Sequence, residues 1–163
     1  MKKKYFPMFV DISEKKIVVI GGGTIATRRV NTLLSFAEHI VVVAPEITDD
    51  LQEKCEEGGL TWIKEAYCKE HLMDAQIVLA LTDQPKVNHQ VKADCQRLET
   101  ETGRRILVNV ADDKELCDFY FPSIVQHEEM VVGINAGGSS PALVKNIRKK
   151  IETLLNCKSI YEK

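Results

Sequence analysis

Six consecutive residues, Gly21-Gly22-Gly23-Thr24-Ile25-Ala26, fit the pattern Gly-x-Gly-x-x-Ala. In that pattern the first glycine permits a tight turn and the second lets the backbone approach a pyrophosphate. The small residue at the end lets a helix pack closely on its strand. A helix that starts there offers unpaired N–H groups and a partial positive charge to phosphate oxygens. The chemistry indicated is dinucleotide binding, on condition that a strand precedes the glycines and a helix follows them. Both conditions are met: Lys16-Ile17-Val18-Val19-Ile20 is apolar almost throughout, as in a parallel strand covered on both faces. Ile25, Ala26, Arg29, Val30, Leu33, Leu34 and Ala37 then recur at helical spacing.

The acid that binds an adenosine ribose usually stands at the end of the second strand. Here that strand, residues 40–44, runs into Pro45-Glu46. Glu46 has two readings, a ribose ligand or an exposed acid in the first turn of a helix. The first reading favours NAD over NADP. Arg28 and Arg29 either approach a phosphate or belong to a solvated helix face. A second acid, Asp112, follows the strand-like run 105–110, and Thr82-Asp83 follows another at 76–81. Ligands of an open α/β sheet bind in the crevice outside such carboxyl ends. A carboxylate there can serve as general base when hydride loss must be matched by proton loss. The alternative is that Asp112 or Asp113 caps a turn.

These residues need a scaffold, and its elements are readable in order. After the helix at 48–57 and its Gly58-Gly59 stop, residues 60–64 read as a third strand. Thr82 or Asp83 is expected to cap the next helix, with Pro85 in its first turn and Val87, Val91, Cys95 and Leu98 on one face. The alternation of strand and helix predicts an α/β fold, a doubly wound parallel sheet with right-handed crossovers. Beyond Asp112 the pattern differs. Phe119-Tyr120-Phe121-Pro122 and Met130-Val131-Val132-Gly133-Ile134 are strand-like runs too close together for a covering helix, hence antiparallel neighbours. Ser140 and Pro141 are the expected N-cap and first residue of a last helix, with Leu143, Ile147, Ile151 and Leu154 as its apolar stripe.

The composition excludes several classes. The chain has 163 residues, 44% hydrophobic and 28% charged, which is globular and neither fibrous nor disordered. A net charge of −2 argues against a cationic nucleic-acid binder. The apolar runs are too short to cross a bilayer, and no secretory signal is visible, so a cytoplasmic protein without membrane or nucleic-acid partners is expected. Five dispersed cysteines form no C-x-x-C pair and the histidines form no metal-binding cluster, so reduced thiols and no metal site are expected.

Several blocks together resemble the precorrin-2 dehydrogenase family of siroheme biosynthesis. They are residues 21–26 with Arg28-Arg29, Val42-Val43-Ala44-Pro45, Ala80-Leu81-Thr82-Asp83 with Val87-Asn88, and Val108-Asn109-Val110-Ala111-Asp112. Cys117-Asp118-Phe119, Phe121-Pro122, Gly137-Gly138-Ser139-Ser140-Pro141-Ala142-Leu143 and Ile147-Arg148 complete the series, in the family's order over residues 5–155. The resemblance implies NAD-dependent oxidation of precorrin-2 to sirohydrochlorin by a homodimer. It implies a Rossmann-type NAD-binding domain at 1–112, a small α+β dimerisation module at 113–140 and a C-terminal helical segment at 141–163. Carried over by position, Gly21, Gly23, Thr24, Ile25, Ala26, Pro45, Glu46, Thr82 and Asp83 are the expected cofactor residues. Asp112 matches the family's essential aspartate. Precorrin-2 is a polyanionic tetrapyrrole, and residues 141–163 hold Lys145, Arg148, Lys149, Lys150, Lys158 and Lys163 against two acids. Arg148, inside a matching block, is the expected substrate contact.

Two departures limit the transfer. Asn135-Ala136 stands where many members carry hydroxyl residues. The sequence ends at Lys163, so the longer helical region of bifunctional members is expected to be short or missing. A bifunctional dehydrogenase–ferrochelatase therefore ranks below the dehydrogenase. A regulatory module that binds NAD without turnover is the other alternative, since a fingerprint reports binding and not chemistry.

Overall fold

Short β-branched runs build the sheet. Ile17–Ile20 (β1), Ile40–Val43 (β2), Thr61–Ile63 (β3), Ile77–Ala80 (β4) and Leu107–Val110 (β5) pair in parallel, in the order β3-β2-β1-β4-β5. The computed structural model describes residues 5–137 and 140–156. β1 and β4 are buried at every position, which is why their sequences are apolar without alternation. The helices Thr24–Leu33 (α1), Asp49–Glu56 (α2) and Pro85–Thr102 (α3) supply the crossovers. The chain begins at the centre of the sheet, winds outward through β2 and β3, then returns to add β4 and β5. The reversal between β1 and β4 is the switch point at which an open α/β sheet binds its ligand. The expected Rossmann-type doubly wound fold is present.

The strands of residues 8–119 share a core in which Val18, Ile20, Val78, Ala80, Val108 and Val110 pack with Leu72, Val91, Cys95 and Ile106. Burial of such side chains stabilises the unit by about 1.5–3 kcal/mol each. The chain stays with this unit to Phe119. Asp118 explains why: its N–H donates to Val108 O at 2.8 Å, and its carboxylate accepts from Val108 N and from Lys92 Nζ, both at 2.9 Å.

The described residues among 1–7 and 120–163 form the second unit. Its hairpin pairs Ser123–His127 (β6) with Met130–Ile134 (β7) in antiparallel register, around a two-residue turn in which Glu128 has φ +51°. Pro141–Leu155 (α4) lies against β6, with Ser140 at its N-cap and Pro141 as its first residue.

Two sequence expectations need correction here, and the stripe of α4 is seen to face outward. The strand expected at residues 119–122 starts later, at Ser123. Phe119 O is already committed to Asn109 Nδ2 at 2.7 Å, and Pro122 has no N–H to give a ladder. The cap of α3 is Gln84, not Thr82 or Asp83, because the Thr82 hydroxyl bonds Asn88 and Gln84 O instead. Leu143, Ile147 and Leu154 of the α4 stripe are exposed in the single chain, and Leu155 is the residue of that helix that is buried. Gly138, Ser139, Cys157, Lys158 and Lys163 lie outside the described residues. No helix among the described residues is long and apolar enough to cross a membrane.

Candidate functional site

The glycine turn leaves β1 at its carboxyl end. Gly21 has φ +115°, and a Cβ there would stand 2.8 Å from Leu81 C and O, so the position needs glycine twice over. Gly22 is as constrained: a Cβ would come within 2.3 Å of Glu46 O. Gly23 is the opposite case, since a Cβ would meet nothing within 4 Å. The two tight glycines press the turn against the ends of β4 and β2, and the third leaves open space above the start of α1. That opening is what a pyrophosphate requires of the second glycine in the fingerprint.

α1 begins without a side-chain cap and without an acid in its first turn. Its first intrahelical bond is from Thr27 N to Gly23 O, so the N–H groups of Thr24, Ile25 and Ala26 precede the ladder and face the opening with the positive end of the helix dipole. Thr24 and Ile25 are exposed there, while Ala26 is fully buried and small enough to bring α1 onto the sheet. Thr27 fixes the neighbouring loop: its hydroxyl donates to Gly23 O at 3.0 Å and lies 2.7 Å from Thr48 Oγ1. Thr48 N in turn donates to Gly22 O at 3.1 Å. Pro45 and Glu46 therefore sit exposed on a loop tied to the glycine turn.

The other half of this edge is built by β4, β5 and α3. Ala111 N donates to Ala80 O at 3.0 Å, which brings the end of β5 level with Leu81-Thr82. Asp112 thus stands two strand spacings from Gly21, about 10 Å across the sheet. Its carboxylate is exposed and accepts from Asn88 Nδ2 at 2.8 Å. Asn88 is 0% exposed and makes three further bonds, all to Thr82. Asp83 is exposed beside them. His89 and Asp113 approach to 3.6 Å one turn further out.

Beneath Asp112 the strand is braced by polar groups. Arg29 Nη1 donates to Asn109 Oδ1, and burial holds this guanidinium below its ordinary pKa. Asn109 Nδ2 donates to Phe119 O, and Cys117 Sγ exchanges bonds with Val110 N and O, each at 3.2 Å. Burial raises the Cys117 thiol, so it stays protonated and structural. Arg29 is thereby a bridge from α1 to β5, whereas Arg28 is exposed.

Of the residues expected from sequence, Gly21, Gly23, Thr24, Ile25, Ala26, Pro45, Glu46, Thr82, Asp83 and Asp112 all lie along the carboxyl edge of one sheet. Arg148 belongs to the second unit, where it pairs with Glu152 on its own helix at 3.2 Å. Lys145, Lys149 and Lys150 are exposed on that helix. Sequence reasoning assigned no role to Gly22 or Asn88. The signal for Asn88 is a polar residue beside Val87 and Val91 on a buried helix face. No group of His, Cys, Asp or Glu among the described residues has the arrangement of a metal site.

The chain has recognisable relatives. A family model described as NAD(P)-binding matches residues 8–123. A siroheme synthase of Nitrosospira multiformis is 40% identical over 155 residues, covering 93% of this chain and 32% of that protein. Siroheme synthase 1 of Serratia proteamaculans is 34% identical over 151 residues, 93% of this chain and 30% of its own length. The chain thus spans about a third of these curated relatives. A solved structure titled "SirC, precorrin-2 dehydrogenase" superposes with a TM-score of 0.77 at 25% identity, covering 92% of this chain and 70% of that one.

Proposed function

The chain belongs to the NAD(P)-binding family whose model spans residues 8–123, and on that premise we propose that it oxidises precorrin-2 to sirohydrochlorin with NAD. The observation that carries the reading is the open space at Gly23, over an uncapped helix N-terminus, on the same sheet edge as an exposed carboxylate at Asp112. The siroheme synthases and the dehydrogenase matched above supply the substrate class.

In this reading Thr24, Ile25 and Ala26 bind the pyrophosphate through their N–H groups, with Gly23 giving it room. Glu46 holds the adenosine ribose hydroxyls and thereby selects NAD over NADP. Thr82 and Asp83 line the path toward the nicotinamide. A nicotinamide held along this edge would supply the acceptor for a hydride from a carbon of the tetrapyrrole. Asp112 takes the proton that the framework must also lose, so one C–H pair of electrons leaves as hydride and a second hydrogen leaves as H⁺. Arg148 of α4 is the residue for a carboxylate arm of the substrate. The exposed Leu143, Ile147 and Leu154 support association of two copies, which is the homodimer expected of the family.

An anaerobic assay of the purified chain with precorrin-2 and either NAD or NADP tests the reading. Equimolar sirohydrochlorin and NADH, with NADP much the poorer acceptor, is the expected result. Tight NADH binding without product would reduce the chain to a nucleotide-binding module. Light scattering at micromolar concentration should give the mass of two chains, and a monomer would remove the dimer from the reading.

A further inference from the structure

We propose that Asn88 is the positioning residue of this site, holding Asp112 in its working orientation and coupling it to the Thr82 turn. The inference rests on the reading of Asp112 as the proton acceptor. An asparagine amide has two N–H donors and an oxygen with two lone pairs. Here all four are used: Oδ1 accepts from Thr82 N at 3.0 Å and Thr82 Oγ1 at 2.8 Å, and Nδ2 donates to Thr82 O at 3.0 Å and Asp112 Oδ1 at 2.8 Å.

That pattern fixes which end of the amide faces Asp112. A flipped amide would set N–H against the Thr82 N–H and oxygen against the Asp112 carboxylate. Asn88 is fully buried, so no water is at hand to rescue the flipped amide against the Thr82 turn. The donor aimed at Asp112 is thus held by three bonds to one turn, on a helix whose own start is fixed by Pro85. Among the described residues this is the hydrogen bond that Asp112 makes through its side chain, and it engages Oδ1 alone. Oδ2 is left for substrate. An exposed carboxylate without such a partner rotates freely, and a misplaced general base loses much of its rate advantage.

One buried side chain thus joins the Thr82 turn to the Asp112 carboxylate.

The test uses Asn88→Ala and the isosteric Asn88→Asp, assayed beside Asp112→Ala. Asn88→Ala should lower kcat about 10-fold or more with KM for precorrin-2 changed much less. Asn88→Asp places two carboxylates against each other, which share one proton over a range of pH. With that proton between them the new acid donates to Asp112 in place of the amide, and without it the pair repels. Its kcat relative to wild type should therefore rise as the pH is lowered. A purely structural role would lower Tm and NADH affinity while leaving the shape of the pH profile unchanged.

A measurement that leaves Asn88 itself intact covers the case in which the Asn88 variants fail to fold. The ¹⁵N side-chain amide signals of Asn88 should shift in Asp112→Asn, which replaces the acceptor of its 2.8 Å bond, while signals of residues remote from the site stay in place. Signals indifferent to Asp112, or folded variants with wild-type kcat and profile, would overturn the inference. Wild-type turnover by Asp112→Ala would instead remove the reading on which it rests.

Discussion

Alanine at each of three adjacent glycines separates the fold from the cofactor. At Gly23 the backbone is extended, with φ −83° and ψ −169°, and an added methyl meets no atom within 4 Å. Exchanging glycine for alanine at an N-cap costs about 0.5–1 kcal/mol, and the stiffer unfolded chain returns about 0.4–1 kcal/mol. The two nearly cancel, so Gly23→Ala should melt within about 2 °C of wild type. At Gly21 the φ of +115° costs alanine about 1–3 kcal/mol before any clash. The contacts at 2.8 Å from Leu81 C and O are with backbone atoms of a buried strand end, which cannot yield cheaply. Gly22→Ala meets Glu46 O at 2.3 Å and would displace the whole β2–α2 loop. Both should lose at least about 5 °C, at about 2–4 °C per kcal/mol for a chain of this size. Differential scanning fluorimetry and NADH titration by fluorescence are the assays. Gly23→Ala should fold normally and bind NADH at least about 10-fold more weakly, or about 1.4 kcal/mol. A folded Gly23→Ala that binds NADH within twofold of wild type would refute the placement of the pyrophosphate over this turn.

Three further outcomes follow from the packing. The ion pair of Lys92 with Asp118 is largely buried, and Asp118 also accepts from Val108 N and meets Arg105 at 3.3 Å. Asp118→Ala, which strands the lysine, should cost about 3–5 kcal/mol in urea unfolding, and Lys92→Met should cost distinctly less because Arg105 still faces the acid. Cys68 is exposed whereas Cys95 and Cys117 are buried, so iodoacetamide at pH 8 should label Cys68 and leave the other two unmodified until the chain unfolds, as read by peptide mass spectrometry. Burial pushes the Cys95 thiol from 9.0 up to about 12 and raises the Tyr67 hydroxyl, which also donates to Asp94. Both groups stay protonated in the fold while the unfolded chain releases its protons above pH 9, so stability should decline from pH 9 toward 12. Cys95→Ala should flatten that decline in melts taken across the range.

The sheet was legible because β1, β2, β4 and β5 carry apolar β-branched runs at parallel-strand length, and the glycine turn because its spacing follows from phosphate geometry. Asn88 and Gly22 were not. Periodicity ranks helix positions by apolar character, and Asn88 enters the buried face of α3 only because four hydrogen bonds replace the water it loses. Lys92 and Asp94 share that face for the same reason, each with a partner far off in sequence. Gly22 looked like the variable position of its motif, and its constraint comes from a loop more than twenty residues later. The aromatic run at 119–122 has strand composition, but Asn109 claims the Phe119 carbonyl and Pro122 lacks a donor. The exposed α4 stripe has the right period, and period alone does not say whether the partner surface is in the same chain.

In the proposed reaction one sheet edge both binds the cofactor and carries the base. Its most direct test is anaerobic turnover of precorrin-2 and NAD by Asp112→Ala, with NADH affinity measured on the same preparation. NADH should bind within about twofold of wild type, and sirohydrochlorin formation should slow at least about 100-fold. Turnover at the wild-type rate, with binding intact, would contradict it.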